Sequence, residues 1–131
     1  MARLLVDGGE VVVRLTWWER IVTHHRELRV PLAAVARVAV EPVAWRALRG
    51  VPEHGLLVPG AVSVGDRRHP AGRDFVAVRL PRRQPVVCVD LRAPAPYRRI
   101  AVGDADAERT AERLRAAVAE QGAAERDTPP P

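Results

Sequence analysis

The sequence predicts an α+β domain, mainly antiparallel β, in which about seven or eight short strands curl into a partly closed barrel capped by a carboxy-terminal helix. Three observations predict it. Short Val-rich segments with apolar side chains at every second position recur through most of the chain. Clusters of Gly, Pro and Asp separate them at turn spacing. The one long stretch of helical period, Ala107 to Val118, comes last. A chain of 131 residues suits one domain. At that size roughly two-thirds of the unfolded surface is buried on folding, so no disulfide or metal is needed to build a core.

Leu4 and Val6 share one face of a first strand, Ala2 to Val6, and Asp7-Gly8-Gly9-Glu10 supplies a hairpin turn. From Glu10 to Leu15 the apolar side chains Val11, Val13 and Leu15 alternate, as on a half-buried strand. The period changes at Thr16-Trp17-Trp18-Glu19, whose T-x-x-E form is that of a capping box, so a short helix is expected from Trp17 to about His24. Trp17 and Ile21 would share one face with Trp18 and Val22 beside them, and core packing is the favoured role of the paired tryptophans. Arg26 to Val30 is extended and ended by Pro31. A brief turn at Leu32-Ala33-Ala34 leads into a strand from Val35 to Glu41, after which Trp45 and Leu48 fit a single helical turn. The segment from Arg49 to Gly60 carries Gly50, Pro52, Gly55, Pro59 and Gly60 and reads as an irregular loop. Its length suggests that it binds or covers something.

Ala61 to Gly65 reads as a strand, the polar stretch Asp66 to Arg73 as a hairpin loop, and Phe75 to Leu80 as the next strand. A tight Pro81-Arg82-Arg83-Gln84 turn leads to Pro85 to Leu91, where Val86-Val87-Cys88-Val89 is apolar on both parities. Such a run predicts a strand covered on both faces. After a Pro-rich loop, Tyr97 to Val102 is the last strand. The parity argument places Val11, Val13, Leu15, Val38, Val40, Val62, Val64, Val87, Val89, Ile100 and Val102 in one core. In the final helix, Asp104 or Asp106 can cap the start, and Ala107, Ala111, Leu114 and Val118 form the inward stripe. Gly122 is the expected stop. Residues 1–121 then form a single domain and residues 122–131 a disordered Pro-rich tail.

The balance of 21 basic against 16 acidic residues gives a net charge of +5. All the basic residues are Arg, with neither Lys nor Asn present, the bias that a GC-rich genome writes, so the basic total says less about polyanions than its size suggests. The lone cysteine, Cys88, excludes an intramolecular disulfide and fits a reducing cytoplasm. No apolar run reaches membrane-span length, and Asp7 breaks the amino terminus too early for a signal peptide.

An antiparallel meander with a carboxy-terminal helix across its open end is the plan of the pleckstrin-homology-like (PH-like) barrel. The stretch from Leu15 to Val118 resembles a group of small actinobacterial uncharacterised proteins, some described as PH domain-containing. The resemblance rests on Leu15-Thr16-Trp17-Trp18-Glu19-Arg20, Arg29-Val30-Pro31-Leu32-Ala33-Ala34-Val35, Val58-Pro59-Gly60, Val64-Gly65-Asp66-Arg67-Arg68 and Gly72-Arg73-Asp74-Phe75. It implies a PH-like fold and supplies no catalytic residue and no cofactor.

The residues themselves offer little chemistry. Ser63 is the only serine, with no nucleophile-elbow context, and Cys88 sits in the most apolar run. His24 and His25 are adjacent, and His54 and His69 are isolated, so no metal-ligand spacing exists. Asp66, Asp74 and Asp90 stand at strand edges, where Asp commonly satisfies loop N–H groups. The basic candidates are Arg67, Arg68 and Arg73 in one loop, with Arg82 and Arg83 in the next turn. With His54 they make the candidate interaction surface. The resemblance implies that an inositol lipid would meet basic residues at the loop between the first two strands, and here that turn carries Asp7 and Glu10, so such a site is disfavoured. Nucleic acid is disfavoured as well, since the last helix alternates Arg with Glu and the strands lack an aromatic face. The favoured reading is a non-enzymatic PH-like interaction module in the cytoplasm that binds a protein partner. The alternatives are a small-ligand binder or small enzyme with a pocket formed by Trp17, Trp18 and Trp45 beside the 49–60 loop, and a weak binder of nucleic acid or anionic surfaces through the Arg loops.

Overall fold

The computed structural model describes residues 2–58, 61–79 and 84–127. Strands β1 (Arg3–Asp7), β2 (Glu10–Arg14) and β3 (Glu27–Pro31) form an antiparallel sheet in the order β1-β2-β3, and helix α1 (Trp17–Thr23) links β2 to β3. Strands β4 (Val35–Glu41), β5 (Val51–Val58), β6 (Val62–His69), β7 (Gly72–Arg79), β8 (Val86–Leu91) and β9 (Arg99–Gly103) form a second sheet in the order β4-β8-β9-β7-β6-β5. Every pairing is antiparallel except β7 with β9. Helix α2 (Ala107–Asp127) packs on β4, β8, β1 and the 3-10 turn Leu32–Ala34. The class is therefore α+β and mostly antiparallel, but no closed barrel forms among the described residues.

Both sheets and α2 share the main core. Val11, Val13, Leu15, Val38, Val64, Val87, Val89, Ile100 and Val102 are buried in it, and Val40 and Val62 pack against it partly buried. Ala107, Ala111 and Leu114 enter it from α2, with Val118 at its margin. Arg115 fixes that helix by donating from Nε and Nη2 to the Val38 carbonyl at 3.1 and 3.0 Å. A second, smaller core lies on the other face of the large sheet, where Val76, Val78, Val86, Cys88 and Ala101 are covered by Ala44 and Ala47 of a 3-10 turn. The double-parity run in β8 is thus covered on both faces, as its sequence predicts.

Three expectations are corrected. The segment read as an irregular loop from Arg49 to Gly60 contains β5, paired to β6 over its length with a register shift between Pro52 and His54. The glycines that suggested a break instead allow the pairing: Gly55 and Gly65 face each other with φ of 116° and 131°, and a Cβ on either would lie 2.1 Å from the opposite strand's carbonyl oxygen. The stretch Asp66 to Arg73 is not a hairpin loop, because β6 and β7 continue pairing to His69 and Gly72 and leave a tight turn. Finally, α2 runs through Gly122 to Asp127, so those residues are helical and not a disordered tail, while residues 128–131 lie outside the described residues.

Candidate functional site

The edge of the large sheet formed by β5 is the first candidate. Proline, a bulge and a glycine usually mark a blunted edge, and Pro52 and the register shift after it do this for the first half of β5. The second half is regular and apolar. Leu56 and Val58 stand opposite Val64 and Val62, on the face that bears the main core, and Leu57 stands opposite Ser63 on the other face. All three remain exposed, between 37% and 44%. Helix α1 packs against β5 and β6. Its outer face presents Trp17, 74% exposed, and Ile21, 63% exposed.

Core packing is therefore overturned for Trp17 and holds only in part for Trp18, which packs against the core half-buried. Trp45 is also exposed, with the Arg46 guanidinium 5.4 Å above its ring. The cavity beside β5 is about 70 Å³, lined by residues of β5 and β6, and no tryptophan is among its described lining residues. That is well below the roughly 300 Å³ of an ordinary small-molecule pocket.

The helix is held by an anchor that the capping-box signature partly reveals. Glu19 is fully buried and accepts from the Thr16 N–H at 2.9 Å and the Thr16 hydroxyl at 2.7 Å. Its other oxygen accepts from the Ala2 N–H at 3.2 Å, which ties the start of β1 to α1. The Thr23 hydroxyl closes the last turn by donating to the Glu19 carbonyl at 2.6 Å.

A polar cluster at the far end of β6 and β7 is the second candidate. Asp74 is fully buried and receives a two-pronged pairing from Arg49, Nε to Oδ2 at 2.7 Å and Nη2 to Oδ1 at 2.8 Å. His69 Nε2 lies 2.8 Å from Asp74 Oδ1, while its Nδ1 accepts from the Ala71 N–H at 3.2 Å. With Nδ1 accepting, the ring proton sits on Nε2 and faces the carboxylate. Beside it the Tyr97 hydroxyl donates to Asp66 Oδ1 at 2.9 Å and lies 3.1 Å from His25 Nε2. Burial, reinforced by Asp66, pushes the Tyr97 phenol well above its usual range. The rings of His25, Phe75 and Tyr97 meet edge to face. This cluster has the residue types of acid–base chemistry, but its groups face one another. The His69 nitrogens are both engaged, and the Tyr97 proton is held. Its evident work is to lock the β6–β7 turn and the 49–50 link in place.

The predicted basic surface is divided by the fold. Arg67 reaches back to the Arg49 and Gly50 carbonyls at 3.1 and 2.8 Å, so it clamps the chain entering β5. Arg73 pairs with Glu53 at 3.0 Å. Arg68 and His54 are exposed, and Arg82 and Arg83 lie outside the described residues. The acids of the first hairpin turn, Asp7 and Glu10, with Glu27, surround Arg29 on β3. Cys88 is free and buried, and burial raises its thiol above its ordinary value. Among the described residues no three His, Cys, Asp or Glu side chains are grouped to hold a metal, and no helix is long and apolar enough to cross a membrane.

Sequence reasoning missed two features. The exposed edge was hidden by its glycines and prolines. A cavity of about 550 Å³ between β1 and the start of α2 was hidden because its walls come from four separate segments. No protein family, curated protein or solved structure matches the chain.

Proposed function

We propose that this chain is a non-enzymatic interaction module whose partner is an extended segment of another protein, added as a further strand along β5. The observation that carries the reading is a regular, apolar, solvent-facing edge at the second half of β5, packed by α1, whose outer face exposes Trp17 and Ile21. An edge strand offers a row of backbone donors and acceptors that another strand can satisfy. Main-chain hydrogen bonds would supply affinity, and Leu56, Leu57 and Val58, projecting to alternate faces, would supply selectivity for apolar side chains at every second position. The PH-like kinship is part of the same proposal. Two packed sheets with a carboxy-terminal helix support it, while the parallel β7–β9 pair departs from a simple meander. A cytoplasmic setting is proposed from the free, buried Cys88.

The test is to pan a random peptide library against the full chain and against the L56K/V58E variant, which places charges on the edge without changing the net charge. Enriched peptides with apolar residues at alternate positions that bind the native chain and lose the variant are expected. Failure to enrich any such peptide, or equal binding to both proteins, would overturn the reading. Dimerisation of the native chain that L56K/V58E abolishes would assign the edge to a second copy instead.

A further inference from the structure

We infer that the chain carries a second binding site, for a compact molecule with two or more phosphate groups, in the cavity of about 550 Å³ between β1, the ends of β7 and β9, and the first turns of α2. The volume falls in the range of small-molecule sites, roughly 300–1,000 Å³. Four arginines line it: Arg3, Arg79, Arg109 and Arg113. Arg29, Arg49, Arg73 and Arg99 all pair with carboxylates elsewhere in the fold. The four cavity arginines make no ion pair among the described residues. Arg79 adds a sharper signal, because its Nε is buried and has no hydrogen-bond partner among them. A buried charged donor without an acceptor is rare in folded proteins and calls for an anionic one.

The acids in the wall do not fill that role. Asp104 is taken up by α2 itself, with Oδ1 accepting from the Asp106 N–H at 2.8 Å and Oδ2 from the Thr110 hydroxyl. Asp106 is exposed at the rim. Four guanidinium groups against two carboxylates leave the wall positive, and the positive end of α2 adds to it. Arg109 and Arg113 are four residues apart and so share one face of α2, which lets both forks reach one ligand. Planar guanidinium forks match phosphate oxygens in pairs. Four such forks, set on β1, β7 and α2 around a cavity of this size, match a ligand with two or more phosphates better than a single phosphate. None of the described lining residues is aromatic, which removes base stacking and points to a compact, non-aromatic ligand.

Calorimetric titration of the full 131-residue chain with pyrophosphate, tripolyphosphate and a hexose bisphosphate tests this and separates an inorganic from a sugar-borne ligand. Saturable one-to-one binding of at least one probe is expected. The R109Q/R113Q variant should bind it about tenfold or more weakly, the size of losing one charge-assisted hydrogen bond. R79Q should do the same. The R26Q/R37Q variant, which removes the same charge from exposed positions elsewhere, should bind within about threefold of the native chain, as a screened long-range effect requires. Should R79Q fail to fold, the exposed pair Arg109 and Arg113 still decides the matter. The proposal is overturned if no probe binds saturably, or if R26Q/R37Q loses as much affinity as R109Q/R113Q.

Discussion

β8 and β5 belong to one sheet and are both rich in valine and leucine, yet they have opposite surroundings. β8 lies between β4 and β9, and its side chains enter a core on each face: Val87 and Val89 the main one, Val86 and Cys88 the smaller. β5 has one strand neighbour among the described residues, and apart from Glu53 every residue along it is exposed. Burial of the β8 side chains contributes to folding at about 25 cal/mol per Å² of apolar surface removed from water. The apolar side chains of β5 gain much less of that term, and a free edge carries an aggregation cost. The difference teaches that composition alone does not distinguish a strand that holds the fold from one that faces outward. Position in the sheet does, and the apolar content of β5 then needs an explanation outside the fold.

Substitutions break or sharpen this contrast, beginning with the centre of the sheet. Val89→Asp buries an unpaired carboxylate among apolar side chains, which costs more than the ~5–15 kcal/mol that holds a domain of this size together if the charge is kept. Loss of the folded state at neutral pH by circular dichroism is expected. Asp74→Ala, near the start of β7 and of β5, removes the acceptor for Arg49 and His69. The expected loss is about 2–4 kcal/mol in chemical denaturation, less than for a fully buried pair because the Arg49 side chain is 36% exposed and keeps contact with water.

Tyr97 gives a pH-dependent measure of the same polar end. Its folded pKa lies above the ordinary value near 10 because of burial and the bond to Asp66. The stabilisation it brings is complete below the unfolded value and is lost as pH rises toward the folded one, because the unfolded chain releases the proton first. Between the unfolded and the folded value, stability should fall by about 1.4 kcal/mol per pH unit in excess of the Tyr97→Phe variant. Since Tyr97 is the only tyrosine, phenolate absorbance reports it directly and should appear only as the protein unfolds. The smallest effect belongs to the edge: L56K/V58E should change stability by only about 0.5 kcal/mol in a thermal melt, as at other exposed positions.

Much of this contrast was legible in the sequence, for reasons that vary by element. The two-face burial of β8 followed from apolar residues on both parities, and the inward stripe of α2 from spacings of three and four. The Thr16–Glu19 signature located α1 correctly, but not which of its faces turns inward, because Trp17 and Ile21 look like core residues until the neighbouring sheet is known. β5 was hidden by Gly55, which reads as a break until its partner Gly65 shows that two strands cross closely there. The ends of β6 and β7 were hidden by the polar run Arg67 to Arg73, in which Arg67, His69 and Arg73 are engaged by backbone carbonyls, Asp74 and Glu53. Those partners lie far apart in the chain, and no local pattern connects them. Gly122 misled in the opposite sense, since a glycine in a helix costs only about 1 kcal/mol relative to alanine and does not oblige the helix to end.

Hydrogen exchange of the β5 amides, measured on the native chain with and without a peptide enriched on it, tests the central claim most directly. The account predicts that the amides of residues 54–58 that point away from β6 exchange readily in the free chain and slow markedly when the peptide binds, while the β8 amides are slow in both. A peptide that binds tightly and leaves the exchange of residues 54–58 unchanged would contradict it.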